Sequence, residues 1–270
     1  MPVLVAPSAF GGALRAPVVA AAIGRGLERA GAGVPDLCPL AGGGHGTIEV
    51  LLPALGGETS DGFALIEDGA TALVELGACA EETGRRVVAA VAASAEVVLV
   101  CAGAIGALDA GAGVVEAIEA GGGLRGASLV VLCESRVAPG ARPPAPGRDP
   151  RGVAMTAAGG GLAGALWARY DAMLVPGPAF VLEQLGFDAR MRAARALVVG
   201  EAQLDRETLG GRVAGEAAIR ARQVGVPCHA VAARNALDRF DARILDLQAI
   251  AEAATVAGLE AAGERLGRLL

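Results

Sequence analysis

The stretch Val198-Val-Gly-Glu-Ala-Gln-Leu-Asp-Arg-Glu-Thr-Leu-Gly-Gly-Arg212 decides how this chain is read. An apolar strand, Ala196 to Val199, runs into Gly200 and then presents Glu201 and Asp205. Arg212 follows at the start of an alanine-rich helical stretch. Open α/β folds bind ligands just past the carboxyl ends of buried strands and near helix N-termini, where a carboxylate pair can serve metal-assisted chemistry. An ion-pair cluster on a surface loop would use the same residues, so the stretch is a candidate site with two readings.

Outward from this stretch, short Val/Leu/Ile runs alternate with Ala-rich runs of helix length. The strand candidates are Val3–Ala6, Val34–Cys38, Val97–Cys101, Leu129–Cys133, Leu197–Val199, Cys228–Ala232 and Ile244–Ile250. Continuous apolar strands are buried on both faces, as in a parallel sheet covered by helices. The fold class is therefore α/β, a mostly parallel sheet with helices on both faces and a Rossmann-like core. In the first helix Leu14, Val18, Ala22, Gly26 and Ala30 recur at four-residue spacing, and Pro17 is tolerated because the first turn has no N–H partner to lose. Between Gly56 and Gly84 the strand signals weaken (Phe63–Ile66, Ala72–Leu76), which suggests a small subdomain or a sheet excursion. From Ala138 to Gly152, five prolines and three glycines make a loop with little core potential.

Composition excludes several chemistries. The chain contains no lysine, so all 23 basic residues are arginines, and no Schiff base or P-loop lysine is available. The net charge of −6, with no basic run longer than Arg85-Arg86, argues against a nucleic-acid surface. Cys38, Cys79, Cys101, Cys133 and Cys228 are odd in number and widely spaced, which reads as free, mostly buried thiols in a reducing cytoplasm. His45 and His229 are the only histidines, too few for a histidine metal site. Met1 leads straight into a strand rather than a secretory segment. Val87 to Leu108 is long and almost uncharged, but Glu96 and the glycines after Cys101 divide it into a helix end, a buried strand and a loop rather than a membrane span.

Glycine-rich turns follow the strands. Ala6-Pro-Ser-Ala-Phe-Gly-Gly-Ala-Leu14 leaves the first, and Pro39-Leu-Ala-Gly-Gly-Gly-His-Gly-Thr47 the second. Gly103-Ala-Ile-Gly-Ala-Leu-Asp-Ala-Gly-Ala-Gly113 follows the Val97 strand, where Asp109 can serve either a site or a helix N-cap. Leu132-Cys-Glu-Ser-Arg-Val-Ala-Pro139 and Ala157-Ala-Gly-Gly-Gly-Leu-Ala-Gly164 come next. No G-x-G-x-x-G follows the first strand, which weakens a generic dinucleotide-binding reading.

Taken in order with the opening stretch, these segments resemble the bacterial glycerate kinase family nearly end to end. The family's A-P-D-S-F-K-G-S-L, P-M-A-D-G-G-E-G-T, G-G-S-A-T-N-D-G-G-A-G, A-C-D-V-D-N-P, G-A-A-G-G-L-G-A-G and T-G-E-G-R-L-D-S-Q-T-x-x-G-K each find a counterpart. Ser8 stands at a family Asp, Gly11 at a Lys, Gly42 at an Asp and His45 at a Glu. Ile105, Ala107 and Leu108 replace Ser, Thr and Asn, while Arg136 replaces an Asp and Arg212 a Lys. Asp109, Glu134, Glu201 and Asp205 remain acidic.

The resemblance implies ATP- and Mg²⁺-dependent phosphoryl transfer to a hydroxyl of D-glycerate, a small-molecule substrate, by a cytoplasmic protein without nucleic-acid or membrane partners. Glu201, Asp205 and Asp109 are then the expected catalytic carboxylates, with Asp109 and Glu201 the metal contacts. Arg212, Ser8, Gly43, Gly44, His45, Gly103 and Gly111 are the expected substrate- or phosphate-binding positions. Residues 1–55 and 196–270 are expected to form the core, with 56–195 a shortened second α/β subdomain inserted in it. The alternative is a catalytically degenerate family member that binds a small organic acid, a nucleotide or a protein partner without turnover.

Overall fold

The computed structural model of the protein describes residues 1–103, 109–138 and 148–270. Ile105, Ala107 and Leu108, and positions 139–147 of the proline-rich loop, lie outside the described residues.

The chain opens with β1 (Val3–Pro7), α1 (Ala16–Arg29), β2 (Asp36–Leu37) and α2 (Thr47–Leu55). Three short strands follow, β3 (Glu58–Ser60), β4 (Phe63–Ile66) and β5 (Thr71–Glu75). Helices and strands then alternate through α3 (Ala80–Ala92), β6 (Val97–Ala102), α4 (Ala112–Ala120), β7 (Ser128–Cys133), α5 (Leu162–Tyr170) and β8 (Met173–Pro176). Two helices, α6 (Gly177–Gln184) and α7 (Phe187–Ala193), lead to β9 (Ala196–Leu204). The chain ends with α8 (Arg206–Leu209), α9 (Val213–Val224), β10 (Cys228–Asn235), α10 (Arg239–Ile244), β11 (Leu247–Glu252) and α11 (Val256–Gly267).

These elements make two compact units, Met1–Ala41 with Leu182–Leu270, and Gly42–Val181. The boundaries differ from the expected 55/56 and 195/196. Helix α2 packs on β4 and β5 and so belongs with the second unit. Leu182, Phe187 and Met191 are buried in the core of the first.

The first unit holds a wholly parallel sheet in the order β11-β10-β9-β1-β2. Alternation along its strands sends side chains to two cores. Val3, Val5, Val198 and Val231 pack with α1 and α11, through Val19, Ile23, Leu27, Leu259 and Leu266. Leu4, Ala6, Leu197, Val199 and Ala230 pack on the opposite face with α7 and α9, through Phe187, Met191, Val213 and Ala217. The second unit has its own sheet, β3-β4-β5-β6-β7-β8. Its β4 runs antiparallel to both β3 and β5, and β5 through β8 are parallel. Helices α3, α4 and α5 cover one face through Val87, Ile118 and Leu166.

Several expected elements shift. Only Asp36–Leu37 of the Val34 run is strand, and Val34 itself is 78% exposed on this sheet edge. The Ile244 run begins as helix: Asp238 caps α10 by accepting from the backbone N–H groups of Phe240 and Asp241, each at 2.8 Å, and β11 starts only at Leu247. In α1 the buried set is Ala16, Val19, Ala20, Ala22, Ile23, Gly24, Gly26 and Leu27, whereas Leu14, Val18 and Ala30 are only partly covered. Among the described residues no helix is long and apolar enough to cross a membrane.

The thiols of Cys38, Cys101, Cys133 and Cys228 are buried and Cys79 is exposed. Burial pushes Cys38 up to about 11 and Cys133 up to about 12, so both stay protonated at neutral pH.

His229 in β10 is 6% exposed, and its Nδ1 has no hydrogen-bond partner among the described residues. Burial depresses its pKa, so the fold holds a neutral imidazole. As pH falls through about 6.5, the unfolded chain takes up a proton that the folded chain resists, and stability declines until the folded pKa is reached. His229→Leu is expected to flatten the acid limb of a plot of Tm between pH 7.5 and 5. Equal slopes for the two proteins would show that another group sets that limb.

Candidate functional site

Each unit carries one cluster of the expected site residues. In the first, β9 does not stop at Val199. It continues through Gly200 to Leu204, pairing with β10 as far as Asn235, so Glu201 is a residue of the strand rather than of the loop beyond it. Gly200 lies opposite Pro7, and a Cβ there would sit 2.6 Å from the Pro7 Cβ, so the position requires glycine. Ser8 leaves β1 at this point. Its backbone N–H donates to the Gly200 carbonyl at 2.8 Å and its hydroxyl donates to the same oxygen at 3.2 Å. Gly11, a short way past the end of β1 and with φ +62°, adopts a backbone that a side-chain-bearing residue rarely takes.

The Glu201 side chain is buried, and Thr208 links it to Asp205. The Thr208 hydroxyl donates to Glu201 Oε2 at 2.8 Å and accepts from the Asp205 backbone N–H at 3.2 Å. Asp205 closes the box as N-cap of α8: its Oδ1 accepts from the backbone N–H groups of Glu207 at 2.8 Å and Thr208 at 3.4 Å. Its Oδ2 accepts from Gln203 Nε2 at 2.9 Å. Arg212, the N-cap residue of α9, places Nη1 3.5 Å from Glu201 Oε1 and Nη2 against Glu207. The structure thus joins Glu201, Asp205 and Arg212 through Thr208 and Glu207, two residues that the sequence reading quoted without assigning.

In the second unit, the Gly42–Gly46 turn lies on the carboxyl ends of parallel strands. A Cβ on Gly44 would stand 2.4 Å from the Gly103 Cα, and one on Gly43 would stand 2.6 Å from the Gly177 Cα. Glycine is therefore required at these positions by backbone packing before any ligand is considered. The space left by Gly42 is filled from the end of β7, since a Cβ there would meet the Glu134 Oε1 at 2.5 Å. The same carboxylate flanks Gly44 and Gly103.

His45 stands at the tip of this turn with its side chain 95% exposed, and its Nδ1 faces Glu75 Oε2 at 3.2 Å. The other Glu75 oxygen accepts from the backbone N–H of Ile48 at 2.8 Å. Glu75 was not among the expected site residues. It ends β5 in register with Cys101 of β6, and an acid at a strand's carboxyl end is the signal that would have found it. Asp109 lies at the start of α4, where Oδ1 accepts from Gly111 N–H at 2.9 Å and Oδ2 from Gly113 N–H at 2.8 Å. Gly111, at φ +88°, leaves no room for a Cβ, which would approach the Leu162 Cα to 2.8 Å.

Parallel strands ending in glycine turns, with acids at their carboxyl ends, define an α/β protein. Residues 3–121 and 137–265 match the model of the glycerate kinase family, and the chain belongs to that family. Over 86 residues it is 34% identical to a glycerate kinase of Halalkalibacterium halodurans (strain ATCC BAA-125 / DSM 18197 / FERM 7344 / JCM 9153 / C-125). That alignment takes in 32% of this chain and 23% of the relative's length. A crystal structure from Salmonella typhimurium LT2, of a protein provisionally named glycerate kinase 2, shares the fold with a TM-score of 0.72. The match is 18% identical and covers 100% of this chain and 98% of that one.

Proposed function

We propose that the protein transfers the γ-phosphoryl group of ATP to a hydroxyl of D-glycerate or a closely similar small organic acid, giving a phosphoglycerate. The observation that carries this reading is the Glu201–Thr208–Asp205 relay with Arg212 beside it, built from the stretch that most resembles the family.

In phosphoryl transfer the protein's part is to position the reactants and to match developing charge. Arg212 suits an anionic group: its guanidinium carries a fixed charge and a forked donor set that fits phosphate or carboxylate oxygens. Glu201 is held in one orientation by the Thr208 hydroxyl, which in turn is held by the Asp205 backbone. Asp205 is assigned the role of organising this turn, because both its oxygens already accept hydrogen bonds. Ser8, held on the Gly200 carbonyl, is part of the rigid frame at the strand that carries Glu201, and the glycines at 43, 44, 103 and 111 shape the turns of the second unit.

Mg²⁺ that arrives with a nucleotide requires only one or two protein carboxylates, its other ligands being water and phosphate oxygens. Among the described residues no three Asp, Glu, His or Cys side chains cluster as a metal cage. Asp109 does not suit the role, since each of its oxygens accepts a backbone N–H. Glu201 does, with one oxygen on Thr208 and the other facing Arg212 at 3.5 Å. When bound there, Mg²⁺ would neutralise charge on the transferring phosphate.

The test is ADP release by the purified protein with Mg·ATP, with and without D-glycerate, and ³¹P NMR of the product. Glycerate-dependent release with a new phosphomonoester is the expected result. Release that ignores glycerate and every close analogue would leave the chain a family member that binds without turnover.

A further inference from the structure

The outer edges of the two sheets are not alike. β2 is two residues long, β3 is three, and β8 is four and ends in Pro176. β11, the last strand of the first unit's sheet, runs for six residues and pairs among the described residues with β10 alone. It contains no proline, glycine or basic residue. Short length, proline and inward-pointing charge keep a sheet edge from pairing with another chain, and β11 has none of them. The outward-facing backbone groups can be assigned. The Ala253 N–H donates inward to the Ala232 carbonyl at 2.8 Å, so alternation along the strand turns the N–H and C=O groups of Ile250 and Glu252 outward. The side chains of these two residues share one face of the sheet. Ile250 packs on the core that holds Leu245 at the end of α10, and Glu252 is in register with Ala232 of the same core.

We propose that β11 is a homodimer interface, pairing antiparallel with β11 of a second copy about a two-fold axis at Ile250. The two five-stranded sheets of the first unit then become one continuous sheet. About this axis Ile250 faces Ile250 of the second copy, each N–H donating to the other's carbonyl, and Gln248 faces Glu252. No like charges are opposed. Centred on Ala249 instead, the pairing would set Asp246 across from Glu252, two acids.

Charge beside the strand selects a second copy as the occupant. Arg243, in the last turn of α10, stands just before β11 begins, and Glu252 ends it. Both are exposed, and neither has an ion-pair partner among the described residues. Two-fold antiparallel pairing lays the start of one β11 beside the end of the other and keeps the α10 faces on one side. Arg243 of each copy therefore meets Glu252 of the other. An unrelated strand could use the backbone groups but would not supply this reciprocal pair. A six-residue edge is a small interface, so the association is a concentration-dependent equilibrium rather than an obligate one. β9, which carries Glu201, is separated from the edge by β10, so turnover per protomer is expected to be the same in monomer and dimer.

The experiment is sedimentation velocity of the full chain from about 1 µM to about 500 µM, with amide hydrogen exchange in β11 read by NMR at both ends of that range. A monomer–dimer equilibrium is expected. The Ile250 and Glu252 amides are expected to exchange fast when dilute and to become protected when concentrated, while Ala249 and Ala251, turned toward β10, stay protected throughout. Arg243→Glu and Glu252→Arg each set like charges at two symmetric contacts, and each is expected to raise the dimer Kd about tenfold. The double variant is expected to return to within about threefold of wild type, because the pair is restored with its signs exchanged. Both positions are exposed, so the substitutions leave the fold in place. A wild type that stays monomeric at about 500 µM overturns the proposal. So does a dimer whose Ile250 and Glu252 amides exchange as fast as in dilute protein, or a double variant whose losses add rather than cancel.

Discussion

Glu201→Gln is expected to lower glycerate-dependent ADP release by about a hundredfold to a thousandfold while leaving the fold in place, because it removes one preorganised charge from the site we propose. The substitution is isosteric. Its amide oxygen can still accept the Thr208 hydroxyl now bound at 2.8 Å. The amide NH₂ then points toward the Arg212 guanidinium, where the carboxylate oxygen stood 3.5 Å from Nη1, so an attraction becomes two donors facing each other. Arg212 still has Glu207 as a partner, and the N-cap at Asp205 does not depend on the charge of Glu201. Unchanged circular dichroism with a collapse of kcat is therefore the expected pair of results. Wild-type kcat in Glu201→Gln would remove Glu201 from the chemistry, whatever its burial.

Thr208→Val provides the structural counterpart. It removes the hydroxyl that joins the two acids, taking one hydrogen bond from the buried Glu201 carboxylate and one from the partly buried Asp205 N–H. Losing one intramolecular hydrogen bond costs about 0.5–1.5 kcal/mol, and one to a charged group about 1.5–3 kcal/mol. Thr208→Val is thus expected to lower both Tm and kcat, where Glu201→Gln lowers mainly kcat. A Thr208→Val melt that coincides with wild type would show that water replaces the hydroxyl at no cost.

What could be read from the chain beforehand follows from where each element is buried. The runs of β1, β6, β7, β9 and β10 are legible because both faces are covered, which makes them continuously apolar. The strands β3, β4 and β5 are weak signals because β3 is fully exposed and the three pair antiparallel at a sheet edge. Strand β8 is missed because it ends in Pro176 and exposes Met173 to 63%. The four-residue spacing from Leu14 to Ala30 marks a stripe that drifts off the true buried face, since a helix repeats every 3.6 residues and not every four.

The site divides in the same way. Glu201, Asp205, Thr208 and Arg212 lie within one short segment, so their proximity is local and visible in the sequence. His45 and Glu75 are brought together only because β5 lies beside β6 and the Gly42–Gly46 turn rests on the end of that sheet. Glutamate 134 is a third case. Its acid is visible in the sequence, but only the backbone geometry shows that its carboxylate takes the space left by the missing side chain at Gly42.

The largest stability effect is expected where α1 meets α11. A Cβ on Gly26 would lie 2.0 Å from the Glu260 carbonyl oxygen, and one on Gly263 would lie 2.2 Å from the Ile23 carbonyl oxygen. Gly267 is nearly as tight, its Cβ reaching the Ala30 Cβ at 2.6 Å. All three clashes involve backbone or Cβ atoms, which no rotamer change can relieve, so the helix axes would have to separate. Separation would open the core that Val19, Ile23, Leu27, Leu259 and Leu266 share with the sheet. Overpacking a tight core costs about 1–3 kcal/mol and at times more. Gly263→Leu, which adds a side chain against backbone, is expected at or above the top of that range and large enough to prevent recovery of folded protein. Gly263→Ala is expected to fold with a Tm lowered by several degrees. The ion pairs of Glu260 with Arg25 and Arg29 bridge the same two helices, but they are exposed and screened by solvent. Glu260→Gln is therefore expected to leave Tm nearly unchanged, and a melt in which it lowers Tm more than Gly263→Ala would show that charge, rather than close backbone approach, holds the two helices together.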